Sequence, residues 1–181
     1  MLPLFRPDRH GGSSRCAHSK ALSVHGVRSD FRQPRAQRYI GVIGAGECDA
    51  ELEILTEAVG RGIAEAGAVL VCGGMGGAME AACRGAKAAG GTTIGILPGP
   101  DRKGANEYVD IAIATGIGEA RNLAIIRSSD VLVAVGGSYG TLSEIGFALK
   151  MGRKVVGLKT WDIKGMVPAR TAEEAVRLAA E

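Results

Sequence analysis

DVLVAVGG, residues 130–137, is a run of five apolar residues that opens on an acid and closes on two glycines. An apolar run of that length without polar alternation belongs to a strand covered on both faces, the condition of a parallel sheet. Working outward, YIGVIG (39–44), AVLVCGG (68–74), TTIGILPG (92–99) and YVDIAIATG (108–116) repeat the form upstream, and KVVGL (154–158) is the last such run downstream. The segments between them carry helical spacing. Leu52, Leu55, Val59 and Ile63 fall on one face of a helix over 50–66. GAMEAACRGAKAAG (77–90) gives a second helix, and further helices run from about Gly118 to Arg127, over 141–151 and over 171–181. Strand and helix alternate through short connections, so the expected fold is α/β: a Rossmann-like, doubly wound parallel sheet in a single three-layer domain. In such a sheet ligands bind beyond the carboxyl ends of the strands, near the point where the winding reverses.

The whole chain has 181 residues, 46% hydrophobic and 23% charged, which suits one globular domain with a sizeable core. Its 28 glycines are about twice the usual share of roughly 7%, and they gather at the ends of the apolar runs. The net charge of +3 hides an asymmetry. Residues 1–38 hold eight Lys and Arg against Asp8 and Asp30, while the remainder holds 14 basic and 17 acidic residues. A mildly acidic body argues against a nucleic-acid partner. With aromatics at 4%, stacking platforms for single strands are not expected either. Residues 1–37 lack periodicity and are expected to be a disordered basic tail, with the folded domain at 38–181; a transit peptide or an overextended start are the competing readings. No apolar stretch is long enough for a membrane span. His10, His18 and His25 all lie in the tail, so a metal site or a Cys–His nucleophile in the body would lack its imidazole. Cys16, Cys48, Cys72 and Cys83 read as thiols of a reducing, cytoplasmic setting.

The glycine turns at the carboxyl edge are the candidate ligand loops: Gly44 and Gly46; Gly73, Gly74, Gly76 and Gly77; and Gly136, Gly137, Ser138, Gly140 and Thr141. Such turns expose backbone N–H groups that helix N-termini aim at an anion. Neither the dinucleotide glycine pattern nor a Walker Lys is present, so a different phosphorylated small molecule is expected. Ala78, Ala81, Ala82, Gly85 and Ala89 form a small-residue stripe that would let the second helix lie close on the sheet.

Arg121 falls in the first turn of its helix, where the macrodipole disfavours a cation. It is either a ligand-binding group or a solvated Arg balanced by Glu119, and Asn122 beside it either bonds a ligand or tidies the helix start. Thr141-Leu-Ser-Glu144 fits the T-x-x-E capping box, as does Thr171-Ala-Glu-Glu174. Glu144 is thus either a plain cap or, unlike Glu174, a group set apart by its place at the end of the Gly136–Gly140 turn, opposite the expected place of Arg121.

GGSYGTLSE (136–144) resembles the PGGxGTxxE signature of the Lonely Guy proteins, which are phosphoribohydrolases of nucleoside 5′-monophosphates. CGGMGGAMEAACRGAKAAGG (72–91), ILPG (96–99), TGIGEARN (115–122) and GGSYGTLSEIGFALKMGRKVVGL (136–158) resemble the molybdenum cofactor carrier-like branch of that superfamily. The resemblance implies phosphate binding by Gly136, Gly137, Gly140 and Thr141, and a catalytic pair of Arg121 and Glu144 if the chain is a hydrolase. It implies no required cofactor, molybdopterin as a possible bound ligand, and a homodimer or higher homo-oligomer. Val135 replaces the signature proline, and Ser138-Tyr139 fills the place of one residue. The longer turn favours binding of a phosphorylated heterocycle, whereas retention of Arg and Glu favours the hydrolase.

Overall fold

The computed structural model describes residues 37–181. The tail expected over 1–37 lies outside them except for Gln37, whose side-chain amide donates to the Gly67 carbonyl. The strands are β1 (Tyr39–Gly44), β2 (Val69–Cys72), β3 (Thr93–Leu97), β4 (Ile111–Ala114), β5 (Val131–Val135), β6 (Lys154–Leu158) and β7 (Val167–Ala169). The helices are α1 (Ala50–Glu65), α2 (Ala78–Ala88), α3 (Asn122–Ser128), α4 (Tyr139–Lys150) and α5 (Ala172–Ala180), with a 3₁₀ turn at Gly118–Arg121 leading into α3.

All pairings are parallel, in the order β4-β3-β2-β1-β5-β6-β7. The chain winds outward from β1 to β4, crosses back to β5 on the other flank of β1, and winds outward again to β7. The winding therefore reverses between β1 and β5, which pair from Ile40↔Val131 to Gly44↔Val135. Period-two alternation divides the central strands between two cores. Val42, Leu70, Val133 and Val156 face a layer with Val59, Ile63, Ala82 and Ala175. Ile43, Val71, Leu132 and Val155 face Ile125, Ile126, Ile145 and Ala148. The doubly wound, three-layer domain follows.

Two expectations need correction. The small-residue stripe of α2 serves helix–helix contact instead of contact with the sheet alone: a Cβ on Gly85 would strike the Glu57 carbonyl of α1, and one on Gly60 the Ala82 carbonyl of α2. Two helix backbones touch there, and Ala89 lies outside the contact, exposed at the C-cap. The last strand is β7, not β6. Only three residues long and containing Pro168, β7 carries no apolar run to announce it, and proline is admissible because β7 is an edge. Among the described residues, no helix is long and apolar enough to cross a membrane.

Candidate functional site

A cleft of about 300 Å³ opens at the carboxyl ends of β1 and β5, where the winding reverses. Gly44 and Gly46 line it from the β1–α1 turn, Gly73 from the end of β2, Arg121 and Asn122 from the start of α3, and Ser138, Gly140, Thr141 and Glu144 from the turn after β5 and from α4. These nine sequence-derived candidates come together from segments up to 100 residues apart.

The other five stand behind the cleft. Gly136 and Gly137 have φ of +58° and +119°, a succession that side-chain-bearing residues adopt only under strain. This reversal aims the first turn of α4 back across the sheet edge. A Cβ on Gly137 would lie 2.5 Å from Thr141, so the turn also packs tightly on its own helix. Gly74 abuts Gly95 of β3, Gly77 abuts the Ala45 and Gly46 carbonyls, and Gly76 lies near Gly46 and Glu80. Gly74 and Gly77 serve strand and loop packing, whereas Gly76 has room for a side chain.

α4 begins at Tyr139, two residues before the expected start, with Ser138 as a cap that makes no side-chain hydrogen bond. Its first backbone bond runs from the Leu142 N–H to the Ser138 carbonyl. The preceding N–H groups are the orphan donors of the helix, at its positive end and on the cleft. Thr141 and Glu144 consequently lie inside the helix. The capping box read from Thr141-Leu-Ser-Glu144 does not form, because the glycine turn delivers the chain into helical geometry earlier than the motif assumes.

Glu144 is 6% exposed, and its carboxyl makes no hydrogen bond among the described residues. Burial raises its carboxyl to about 7, with the positive charge of Arg121 pulling the other way. Arg121 is also 6% exposed, so it is not a solvated side chain, and it forms no ion pair with Glu119 among the described residues. Its Nη1 donates to the Asn122 Oδ1 at 2.7 Å, and its Nε has no partner among them. Burial lowers its pKa, opposed by Glu144 first and then by Cys72 and Glu119. The guanidinium lies over Gly73, where a Cβ would come within 2.6 Å of both terminal nitrogens. Gly73 thus makes room for Arg121.

The sequence reading missed Met75, Met79, Pro98 and Ser143, which also line the cleft. Met75, Met79 and Pro98, with Val42 and Ile43 of β1, form its apolar part, and Ser143 Oγ donates to the Gly140 carbonyl. Ser143 was visible only as the interior of a motif, Met75 only as the interior of a glycine turn, and Met79 only as a residue of the second helix. No spacing signal marks them as lining a cavity.

Residues 37–180 match the SLOG cluster4 family. The chain belongs to this family. An uncharacterized protein of Archaeoglobus fulgidus is 53% identical to this SLOG cluster4 member over 138 residues, covering 76% of the chain and 91% of that relative. The molybdenum cofactor binding protein of the phototrophic bacterium Rippkaea orientalis is 38% identical, with a TM-score of 0.75 over 80% of this chain and 96% of its own. The molybdenum cofactor carrier protein of Chlamydomonas reinhardtii is 38% identical, with a TM-score of 0.73 over 78% and 95%. The SLOG cluster4 chain therefore sits in the Lonely Guy superfamily, on its molybdenum cofactor carrier-like branch.

Proposed function

We propose that this protein binds a small phosphorylated heterocycle, molybdenum cofactor or a nucleotide, as cargo in the β1–β5 cleft. The observation that carries this reading is the buried Arg121 guanidinium, with an unpartnered Nε, in a cleft that also receives the free N-terminus of α4. A cation and a set of orphan N–H donors facing one cavity are complementary to a phosphate. Gly140 and Thr141 would meet the phosphate, Gly44 and Gly46 would let it approach β1, and Asn122 would hold Arg121 in place. The volume of about 300 Å³ is at the lower end of small-molecule sites. No resident cofactor is needed for this. The protein is proposed to work in the cytoplasm, consistent with the free thiols of Cys48, Cys72 and Cys83, and as a homo-oligomer, consistent with exposed Ile54, Ile117 and Phe147.

Native mass spectrometry of the purified full chain is expected to reveal a co-purifying phosphorylated ligand. Calorimetry should give saturable binding of a pterin monophosphate or adenosine 5′-monophosphate. Absence of binding by these and by inorganic phosphate would overturn the proposal.

One observation favours a second reading, hydrolysis of the N-glycosidic bond of nucleoside monophosphates. Glu144 is a buried carboxyl poised near neutral pH with no hydrogen bond to occupy it among the described residues. Such a group can activate water or stabilise an oxocarbenium-like centre while Arg121 holds the phosphorylated substrate. In that case Glu144→Gln retains ligand binding and loses nearly all base release. Wild-type protein that releases no base from any common monophosphate excludes this second reading.

A further inference from the structure

We propose that Tyr139 and Trp161 form an aromatic clasp at the rim of the cleft that selects the flat heterocycle of the ligand. This inference rests on the phosphorylated-heterocycle reading above.

The chain has only seven aromatic residues, and two of them meet at the ligand edge of the sheet. Their ring centroids are 6.2 Å apart and their planes are inclined by 32°. Tilted, offset pairs at such separations attract one another, but this contact covers little of the tyrosine. Tyr139 remains 82% exposed and Trp161 39% exposed. Two aromatic faces are thus left in water. Neither ring lines the β1–β5 cleft itself, and Trp161 lines a separate cavity of about 350 Å³ with Lys159, Thr160 and Met166, so the clasp is offered to a planar π-system that extends outward past Ser138.

The placement is built, not incidental. Tyr139 is the first residue of α4, and its neighbours Ser138 and Gly140 both line the cleft. A ring carried there stands next to the donors proposed for the phosphate. Trp161 arrives from the loop after β6, and that loop is tied at two points. Thr160 Oγ1 donates to the Gly136 carbonyl, inside the glycine turn itself. Lys159 Nζ bonds Glu51 of α1. Lys159 also has φ +48°, the only non-glycine residue in the left-handed region among the described residues. Strain of this kind persists where surrounding contacts over-determine the backbone, and it concentrates at functional sites. Here the Thr160 and Lys159 contacts hold the segment that carries Trp161, and the strained Lys159 backbone is tolerated because of them. The phosphate-binding turn and the aromatic clasp are then one mechanical unit.

Trp161 is the single tryptophan of the chain, so its fluorescence reports this place alone. Adenosine 5′-monophosphate and a pterin monophosphate are the probes, with ribose 5-phosphate as the ligand that has no heterocycle. Whichever heterocycle binds should quench Trp161, while ribose 5-phosphate binds without quenching. Tyr139→Ala and Trp161→Leu should each weaken the heterocyclic ligand roughly 5- to 150-fold, the range of stacking on one aromatic side chain. Affinity for ribose 5-phosphate should stay at the wild-type level in both. Trp161→Phe, which keeps a ring, should retain most of the affinity for the heterocycle. The clasp is overturned if both truncations bind the heterocycle as wild type does. It is equally overturned if they lose ribose 5-phosphate in parallel, which would mark the loop as a support for the phosphate site only. Quenching that follows protein concentration and ignores ligand would assign the rings to contact between copies and refute the clasp. A wild-type protein that binds none of the three ligands removes the proposed function and the clasp together.

Discussion

Thr141-Leu-Ser-Glu144 and Thr171-Ala-Glu-Glu174 spell the same T-x-x-E motif thirty residues apart, and they do opposite things. At α5 the motif does cap the helix, with its glutamate bonded to the residue before the cap instead of to the cap itself. Thr171 is the N-cap, its Oγ1 accepts from the Glu174 N–H at 3.2 Å, and Glu174 reaches back to accept from the Arg170 N–H at 2.8 Å. The carboxyl next to it, Glu173, is held below its ordinary value by its own backbone N–H and by Thr171. At α4 the threonine is buried inside the helix, and the Glu144 carboxyl is buried without a hydrogen bond among the described residues and pushed up to about 7. The difference lies before the motif. Both helices are entered from an extended cap residue, Thr171 at φ −132° and Ser138 at φ −112°, but two positive-φ glycines before Ser138 place the α4 cap three residues ahead of Thr141. A capping box is therefore a statement about where a helix begins, and residues outside the motif decide that.

The largest expected effect tests what faces Glu144 in place of a cap. Arg121→Met removes the buried charge, and affinity for adenosine 5′-monophosphate or a pterin monophosphate should fall by a factor of about 30 to 1,000 or more. Calorimetry on the folded variant checks this, and unchanged affinity would place the phosphate elsewhere.

Glu144→Gln and Glu174→Gln sharpen the comparison, since the same substitution should have different pH signatures. The folded-state value of Glu144, about 7, lies above its ordinary 4.5. The native state therefore holds the proton longer than the unfolded chain. Its stability is full below about pH 4.5 and declines as pH rises toward 7, beyond which it is level. The decline amounts to at most about 3 kcal/mol, at 1.36 kcal/mol per pKa unit. Glu144→Gln should abolish this slope and melt higher than wild type at pH 8. Glu174→Gln should leave the slope intact. Denaturant midpoints between pH 5 and 8 provide the measurement, and parallel curves for wild type and Glu144→Gln would refute the buried-acid assignment.

Thr171→Ala should cost about 1 kcal/mol by loss of the cap. The smallest effect separates the two threonines without removing either hydroxyl. Thr171→Ser keeps the cap oxygen and should be nearly neutral. Thr141→Ser deletes a buried methyl beneath Gly137 and should cost about 0.8 kcal/mol. Thermal melts resolve the pair, and equal effects at both positions would mean that the two motifs are alike after all.

Much of this molecule was legible before any fold was in view. The apolar runs at 39–44, 68–74 and 130–137 matched strands because a parallel strand buried on both faces has few other compositions. The glycine turns all fall at the carboxyl edge of the sheet because strands and helices alternate, which places every such strand end on one side. β7 was not legible, since three residues around a proline carry no periodicity. Nor were Met75, set inside a glycine turn, and Met79, whose place in a helix looks the same whether it faces a core or a cleft.

The chain by itself determined the alternation of elements, hence the winding and the edge at which a ligand would sit. These depend on patterns within a few residues, where backbone geometry and side-chain periodicity act locally. Only the tertiary structure decided that Arg121 lies over Gly73, forty-eight residues earlier, and that Glu144 is a buried acid and not a cap. Burial, orphaned polar atoms and shifted titration depend on which distant segments share a cavity. That is fixed by the packing of the whole sheet and not by any motif.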